Sequence, residues 1–442
     1  MASVGIGGCM VGPDYVRPPA PTASQWIEVQ RPGLDPSAAT AERWWQLFRD
    51  PVLTRLVDLA YRQNLSLQAT GLRVLQAQAR RAVTIGELFP QQQELTGSFT
   101  RARNSRNVVL GSAGPRTVST WAAGFDAAWE LDLWGKFRRG IEAADADLLA
   151  AVADYDDVLV SLVAEVAATY VRIRVLDERL AVARDNVRVE HDTVDITRAR
   201  FEAGGTSELD VQQATALLRD TEATIPELGI QMRQAIDSLC VLLGAAPSEL
   251  TAELGDPGHV PQVPATLAVG IPTDLLRRRP DVRRAEQAAA AQSARIGVSV
   301  AELLPAFQLT GSIGLSADEA SKLFEGRSLE AVAGPAMRWP VLNYGRLINN
   351  VRLQDATFQE LAVSYAQTVL TAQRDVEDAL VGYLRGSEQV QRLSESVAAA
   401  KRAVEISTIQ YREGATDFTS VLTTQQARLH EEDLLASTRG SV

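Results

Sequence analysis

The side chains best suited to chemistry are few and dispersed in this chain of 442 residues. His191, His259 and His430 lie far apart and show no metal-ligand spacing. No phosphate-cradling glycine loop and no activated-nucleophile motif occurs along the chain. Asp154, Asp156 and Asp157 crowd together, but inside a helical pattern such a run reads as a solvated face. These residues offer no catalysis, so neither an enzyme nor a cofactor is expected. A net charge of −11 also argues against nucleic acid, because counterion release needs a basic face.

The two cysteines read differently from each other. Cys240 sits in the apolar run Leu239–Leu243, where a buried thiol is expected. Cys9 follows Ile6-Gly7-Gly8 and precedes the Pro-rich stretch Val16–Pro21, which suits either a lipid attachment site or an incidental terminal cysteine. Eight residues precede it, without a charged region or an adequate apolar stretch, as if an export signal were trimmed or the start misplaced. No window of about 20 apolar residues exists, so no transmembrane helix is expected. A bilayer crossing would then require a closed β-barrel, the other structure that satisfies its backbone in lipid.

The elements that carry these residues show themselves through an internal repeat. Glu87-Leu88-Phe89-Pro90 returns as Glu302-Leu303-Leu304-Pro305, and Leu95-Thr96-Gly97-Ser98 returns unchanged as Leu309-Thr310-Gly311-Ser312. Trp134-Gly135-Lys136 returns as Tyr344-Gly345-Arg346, and Phe201-Glu202-Ala203-Gly204 as Tyr411-Arg412-Glu413-Gly414. The later pairs keep an offset of about 210 residues. The order in each half is helix, two strands, a very long helix and a return helix. The chain divides into an extended start at 1–44, a first repeat at 45–245, a Pro-rich connector at 246–280 and a second repeat at 281–442. Strands are expected near 92–103, 117–132, 306–316 and 328–340, and long helices near 137–203 and 346–413.

Gly140–Gly204 has no interior Pro or Gly, and its seam from Leu148 through Leu162, Val166, Ile173 and Leu176 to Val187 alternates steps of four and three, the signature of a left-handed coiled coil. The second half keeps this register from Phe358 through Tyr365, Val369 and Ala372 to Val397. Pro51 to about Leu88, and Ser207 to about Leu243, read as two shorter helices stacked end to end against the long one. Pro226 is expected to kink or interrupt the second of these. A full second return helix would reach about residue 454 by the same repeat, so the second copy is expected to be clipped at its C-terminus.

The strands alternate apolar with small or polar residues, for example Trp121, Phe125, Trp129 and Leu131 against Thr120, Gly124, Asp126 and Glu130. Such alternation fits a transmembrane barrel as well as a half-buried sheet. Four strands cannot close a barrel, because about eight is the smallest closed size. Three chains would supply 12 strands. The expected fold is thus mainly α with a transmembrane β-barrel portion, in a homotrimer that shares a 12-stranded barrel and a long coiled-coil tunnel.

Three motifs, falling in order along nearly the whole chain, resemble the outer-membrane efflux protein family, the TolC-like ducts, in its lipoprotein branch serving RND-type pumps. They are Gly8-Cys9-Met10-Val11-Gly12-Pro13-Asp14-Tyr15, Gly270-Ile271-Pro272-Thr273-Asp274-Leu275-Leu276-Arg277-Arg278-Arg279-Pro280-Asp281, and Gly334-Pro335 with Trp339-Pro340 and Gly345-Arg346. The resemblance implies a passive exit duct for small toxic compounds, lipid-anchored (palmitate) at Cys9 in the outer membrane, with its tunnel in the periplasm. It implies a periplasmic adaptor protein and an inner-membrane pump as partners. It also implies a gate at the helix tips, where Gly204 and Gly414 end the long helices. Tyr411 and Arg412 match the family's aperture pair, with Glu208, Asp210 or Asp417 as acidic candidates for Arg412. Thr419 and Thr423 stand where the family often has an apolar residue and an Asp, which points to a less charged constriction. A type I protein-secretion duct shares this architecture, and a soluble structural coiled-coil protein accounts for the heptads but not for the alternating aromatic strands.

Overall fold

A computed structural model of the chain describes residues 10–35, 43–103, 105, 116–262, 266–269 and 272–442. Cys9 and the Gly270-Ile271 start of the connector motif lie outside them. In chain order the elements are β1 (Leu34–Asp35), α1 (Pro51–Gln63), α2 (Leu65–Gly86), β2 (Gln92–Arg103), β3 (Thr117–Leu131), α3 (Lys136–Glu202), α4 (Glu208–Leu242) and α5 (Thr251–Leu254). They continue as β4 (Leu267–Ala268), α6 (Pro272–Arg278), α7 (Pro280–Ala301), β5 (Ala306–Ala317), β6 (Leu329–Arg338), α8 (Arg346–Arg412) and α9 (Phe418–Ser441). The helices α3 and α8 each span 67 residues. The chain forms two compact units, one of Met1–Ala20, Leu72–Asp154 and Pro280–Thr368, the other of Pro21–Gly71, Tyr155–Arg279 and Val369–Val442.

The first unit is organised by a four-stranded antiparallel sheet in the order β2-β3-β5-β6. Its register aligns like with like. Leu95 faces Phe125, which faces Ile313, which faces Ala331. Four residues further along β3, on the same face, Trp129 faces Leu309, which faces Pro335. The intervening rows carry Thr96, Gly124, Gly314 and Glu330, or Glu94, Asp126 and Ser312. Since side chains alternate faces, the sheet has one apolar and one small or polar face. The apolar face is left open: Leu95 is 87 % exposed and Ile313 53 %. On the other face Gly124 and Gly314 touch backbone to backbone, and a Cβ on Gly314 would lie 3.0 Å from the Ala123 carbonyl oxygen.

At one end of this sheet two tryptophans are tied in the same way to the turns that follow α2 and α7. The Trp129 indole donates to the Leu88 carbonyl at 3.1 Å, and the Trp339 indole donates to the Leu303 carbonyl at 3.0 Å. The helix α7, which leads into β5, buries Ala289, Ala291, Ala294 and Ile296, the three alanines being small enough for close helix contact. Its Arg295 reaches Asp147 of α3 at 2.6 Å, and its Gln292 reaches the Gln354 side chain of α8 at 2.7 Å.

The second unit holds the largest apolar core. Leu53, Leu56 and Val57 of α1 pack there with Leu162, Val166, Ile173 and Leu176 of α3 and Leu228 and Leu239 of α4, joined by Cys240. The heptad seam of α3 thus supplies much of this core.

One local expectation is corrected, and a second is corrected only as to an interruption of the helix. The helix expected from Pro51 to about Leu88 breaks at Asn64, whose ψ of 123° is extended. The Asn64 side chain accepts from the Leu67 N–H at 2.8 Å, as an N-cap does, and donates to the Leu242 carbonyl at 2.9 Å. The junction of α1 and α2 therefore meets the end of α4, where Gly244 (φ 71°) lies against the Gln63 carbonyl. Conversely, α4 runs uninterrupted through Pro226. Proline removes one rung of the helix, and the flanking Ile225, Leu228 and Met232, all packed on the core, hold the helix on either side.

Candidate functional site

The two hairpin tips are built to one plan. At the end of α3 the Gly205 N–H bonds the Arg200 carbonyl at 2.7 Å and the Gly204 N–H bonds Phe201 at 2.9 Å. At the end of α8 the Ala415 N–H bonds Gln410 at 2.8 Å and the Gly414 N–H bonds Tyr411 at 3.1 Å. This pair of bonds closes a helix only when the next residue adopts positive φ, and Gly204 and Gly414 do so at 76° and 75°. The return helices then start from N-caps three residues on. Ser207 forms a reciprocal capping box with Asp210, and Asp417 accepts from the Ser420 N–H at 3.2 Å.

These caps decide what the acidic residues do within one chain. Asp210 also accepts from the Thr206 hydroxyl. Glu208, at the first turn of α4, is exposed. Arg412 is exposed and, among the described residues, pairs with none of Glu208, Asp210 and Asp417. Thr419 and Thr423 lie one turn apart on the exposed side of α9, and the Thr423 hydroxyl folds back onto the Thr419 carbonyl at 2.9 Å.

Tyr411 behaves quite differently from its neighbour. It is 2 % exposed and meets Phe418 edge-on at 5.6 Å. Val194 of α3, Ala214 and Leu218 of α4 and Val421 of α9 complete this cluster, so four helices share one small core beneath the tips. Its hydroxyl donates to Thr206 at 3.4 Å. The first-half counterpart, Phe201, is instead 41 % exposed, because Glu208 stands where the second half has Phe418. Sequence reasoning missed Arg200, which donates to the Tyr411 carbonyl and lies with its guanidinium 4.6 Å from the centre of the Tyr411 ring. The available signal was a break in the repeat: Arg200 corresponds to Gln410.

Beyond this core runs a seam of buried polar groups. Gln425 donates to Thr193 at 2.7 Å, and Asn186 to Glu432 at 2.9 Å, while Lys401 adds an ion pair to Glu432 at 3.0 Å. Arg428 bonds Asp185 at 2.6 Å. Burial disfavours the charge on Asp185, yet the Arg428 bond wins and holds its carboxyl below the usual range. Glu190 has no such help. It is 2 % exposed, one oxygen accepts from the Thr221 hydroxyl at 3.1 Å, and the other has no partner among the described residues. Burial pushes its carboxyl up to about 7, with Asp220 adding to the effect.

The arrangement consists of two capped helix turns over a shared apolar core and a polar seam. The sequence matches the outer membrane efflux protein family over residues 56–245 and 271–442. Nodulation protein T of Rhizobium leguminosarum bv. trifolii is 31 % identical over 431 residues, covering 96 % of this chain and 89 % of that protein. The pyoverdine export outer membrane protein OpmQ of Pseudomonas putida is 32 % identical over 398 residues, covering 89 % and 83 % respectively. Among solved structures, the outer-membrane channel OprN superposes with a TM-score of 0.91 at 32 % identity, covering 98 % of this chain and 97 % of that one.

Proposed function

The chain belongs to the outer membrane efflux protein family, and from that premise we propose that it works as a homotrimer, each protomer lending four strands to a shared 12-stranded barrel. It is the outer-membrane channel component of an efflux system, not an enzyme. The observation that carries the trimer is the sheet. Its apolar face is open, with Leu95, Phe99, Phe125, Ile313 and Leu329 all exposed, and β2 and β6 are its outermost strands. An open sheet with a greasy face is stable in lipid only when its edges are closed by further strands. The same face weighs against a soluble coiled-coil protein.

The two repeats, 45–245 and 281–442, are the two structural copies within each protomer. Partners in this reading are a periplasmic adaptor and an inner-membrane pump, and the cargo is small toxic compounds. The tips around Tyr411, Arg412, Gly204 and Gly414 form the periplasmic aperture, with Thr419 and Thr423 on its constriction, Asp210 and Asp417 holding the turns, and Glu208 exposed beside them. Capping of the acidic residues leaves Arg412 available to neighbouring protomers. A lipid anchor at Cys9 is supported by the way the following residues are held. The Val11 N–H bonds the Trp134 carbonyl at 3.0 Å, just past the end of β3. Arg139, 2 % exposed, donates to the Val11 carbonyl at 3.1 Å and to Asp14 at 2.8 Å.

Deletion of the gene, followed by susceptibility testing against antibiotics, dyes and metal ions, tests the function. Hypersensitivity to small compounds with unchanged protein secretion is expected, and secretion loss without hypersensitivity overturns the efflux reading. Release from membranes by salt alone overturns the barrel.

A further inference from the structure

The tip of one protomer contains a fastening that the repeat does not predict. Arg200 comes from the last turn of α3, yet it acts on the end of α8. One terminal nitrogen donates to the Tyr411 carbonyl, and the other donates to the Gly205 carbonyl at 3.3 Å. Its charged plane lies 4.6 Å from the centre of the Tyr411 ring. The same side chain fills the space beside the second turn, since a Cβ on Gly414 would lie 3.7 Å from it.

The two carbonyls belong to different hairpins, Gly205 to the first turn and Tyr411 to the second. The Tyr411 carbonyl, in the last turn of α8, also accepts from the Gly414 N–H, so the arginine adds a second, charged donor to it, and the Gly205 carbonyl lies in the turn just past α3. The planar fork of arginine reaches both at once, while a lysine offers a single point charge. Its counterpart Gln410 carries no charge, so one such arginine serves each protomer. Tyr411 in turn is anchored by Phe418 and Thr206, so the contact grips a residue that cannot turn aside.

We infer that Arg200 is the positioning residue of the aperture, fastening the tip that carries Tyr411 and Arg412 to the neighbouring hairpin of the same protomer. Closure of the second tip then depends on a side chain of the first. This deepens the duct reading and rests on it. When the aperture widens, either the Arg200 contact breaks or both hairpins move together.

The test compares the unmodified trimer with R200A, R200K and R200Q in planar lipid bilayers, with melting of each trimer followed in parallel. R200A should raise the open-to-closed ratio by about tenfold, which is what one charge-assisted hydrogen bond is worth, while melting of the trimer stays close to that of the unmodified protein. R200K should recover part of the closure, and R200Q little of it. Closure unchanged in R200A with an intact trimer overturns the inference. Hydrogen exchange at the amides of the Gly414 turn gives a second measure that needs no current. Faster exchange in R200K and R200Q supports the fastening, and unchanged exchange overturns it even if R200A does not assemble. Absence of any pore from the unmodified protein defeats the duct reading, and the exchange experiment still judges the fastening.

Discussion

Trp129 and Trp339 make one hydrogen bond twice, each indole N–H capping the carbonyl of the leucine, Leu88 or Leu303, that precedes a Phe-Pro or Leu-Pro step into the next strand. Both tryptophans close the strand that follows in their half. An indole with an apolar body and a single donor suits a boundary between lipid and water. Replacement of either by Phe keeps the ring and loses the bond, so W129F and W339F should each cost about 1 kcal/mol. Urea titration of the folded protein in detergent checks this, and a large difference between the two variants counts against equivalent roles.

The two cap glycines should be equally replaceable. Both need positive φ, so Ala costs about 1 kcal/mol at either. At Gly204 the added methyl meets nothing within 4 Å, and at Gly414 it lies 3.7 Å from Arg200, an ordinary contact. G204A and G414A should therefore lower the melting temperature by similar amounts. A much larger loss in either variant argues against a shared cap geometry.

Glu190 predicts a pH dependence with a definite sign. Its carboxyl is raised from 4.5 to about 7 in the folded chain. In acid both folded and unfolded states are protonated, and the buried group carries no penalty. As pH rises through the range from the unfolded to the folded value, the unfolded chain loses its proton first, so stability falls. The full loss, roughly 2–3 kcal/mol, is reached above neutrality. E190Q should be more stable than the parent at pH 8 and equal to it in acid. Thermal melting across that range measures this, and parallel curves for the two proteins refute it.

Thr423 predicts an uncharged constriction. Its hydroxyl is spent on the Thr419 and Ser420 carbonyls, at 2.9 and 3.2 Å. Divalent cations should leave the single-channel current of the parent unchanged. T423D, by placing one carboxylate per protomer, should introduce cation block. Block of the unmodified channel at micromolar divalent cation defeats the assignment.

Gly244 predicts a packing failure rather than a functional one. A Cβ there would collide with the Gln63 carbonyl, where the end of α4 meets the α1–α2 junction. The neighbour is backbone, which cannot swing away, so G244A should cost more than about 2 kcal/mol. Lower yield of folded protein, with normal conductance of what remains, is the expected pattern.

Periodicity and duplication, properties of the chain alone, determined the helices, the strands and the matching turns. A heptad seam or an alternating strand records which side must be buried, and a glycine after a helical run records a positive φ. The expectation that Pro51 to about Leu88 is one helix failed because Asn64 is an acceptable helix residue until Leu242 gives its amide a partner. Pro226 was tolerated for the converse reason, since packing outweighed one lost rung. At the tips, the sequence marked Tyr411 and Arg412 but could not rank them. Only the tertiary structure buried Tyr411 under Phe418, left Arg412 outside and brought Arg200 across from the other half, whereas Asp210 and Asp417 entered their caps through neighbours within four residues. The physical reason is distance along the chain. Caps and seams depend on neighbours within a few residues, whereas a cation over a ring 211 positions away exists only after the hairpins have met.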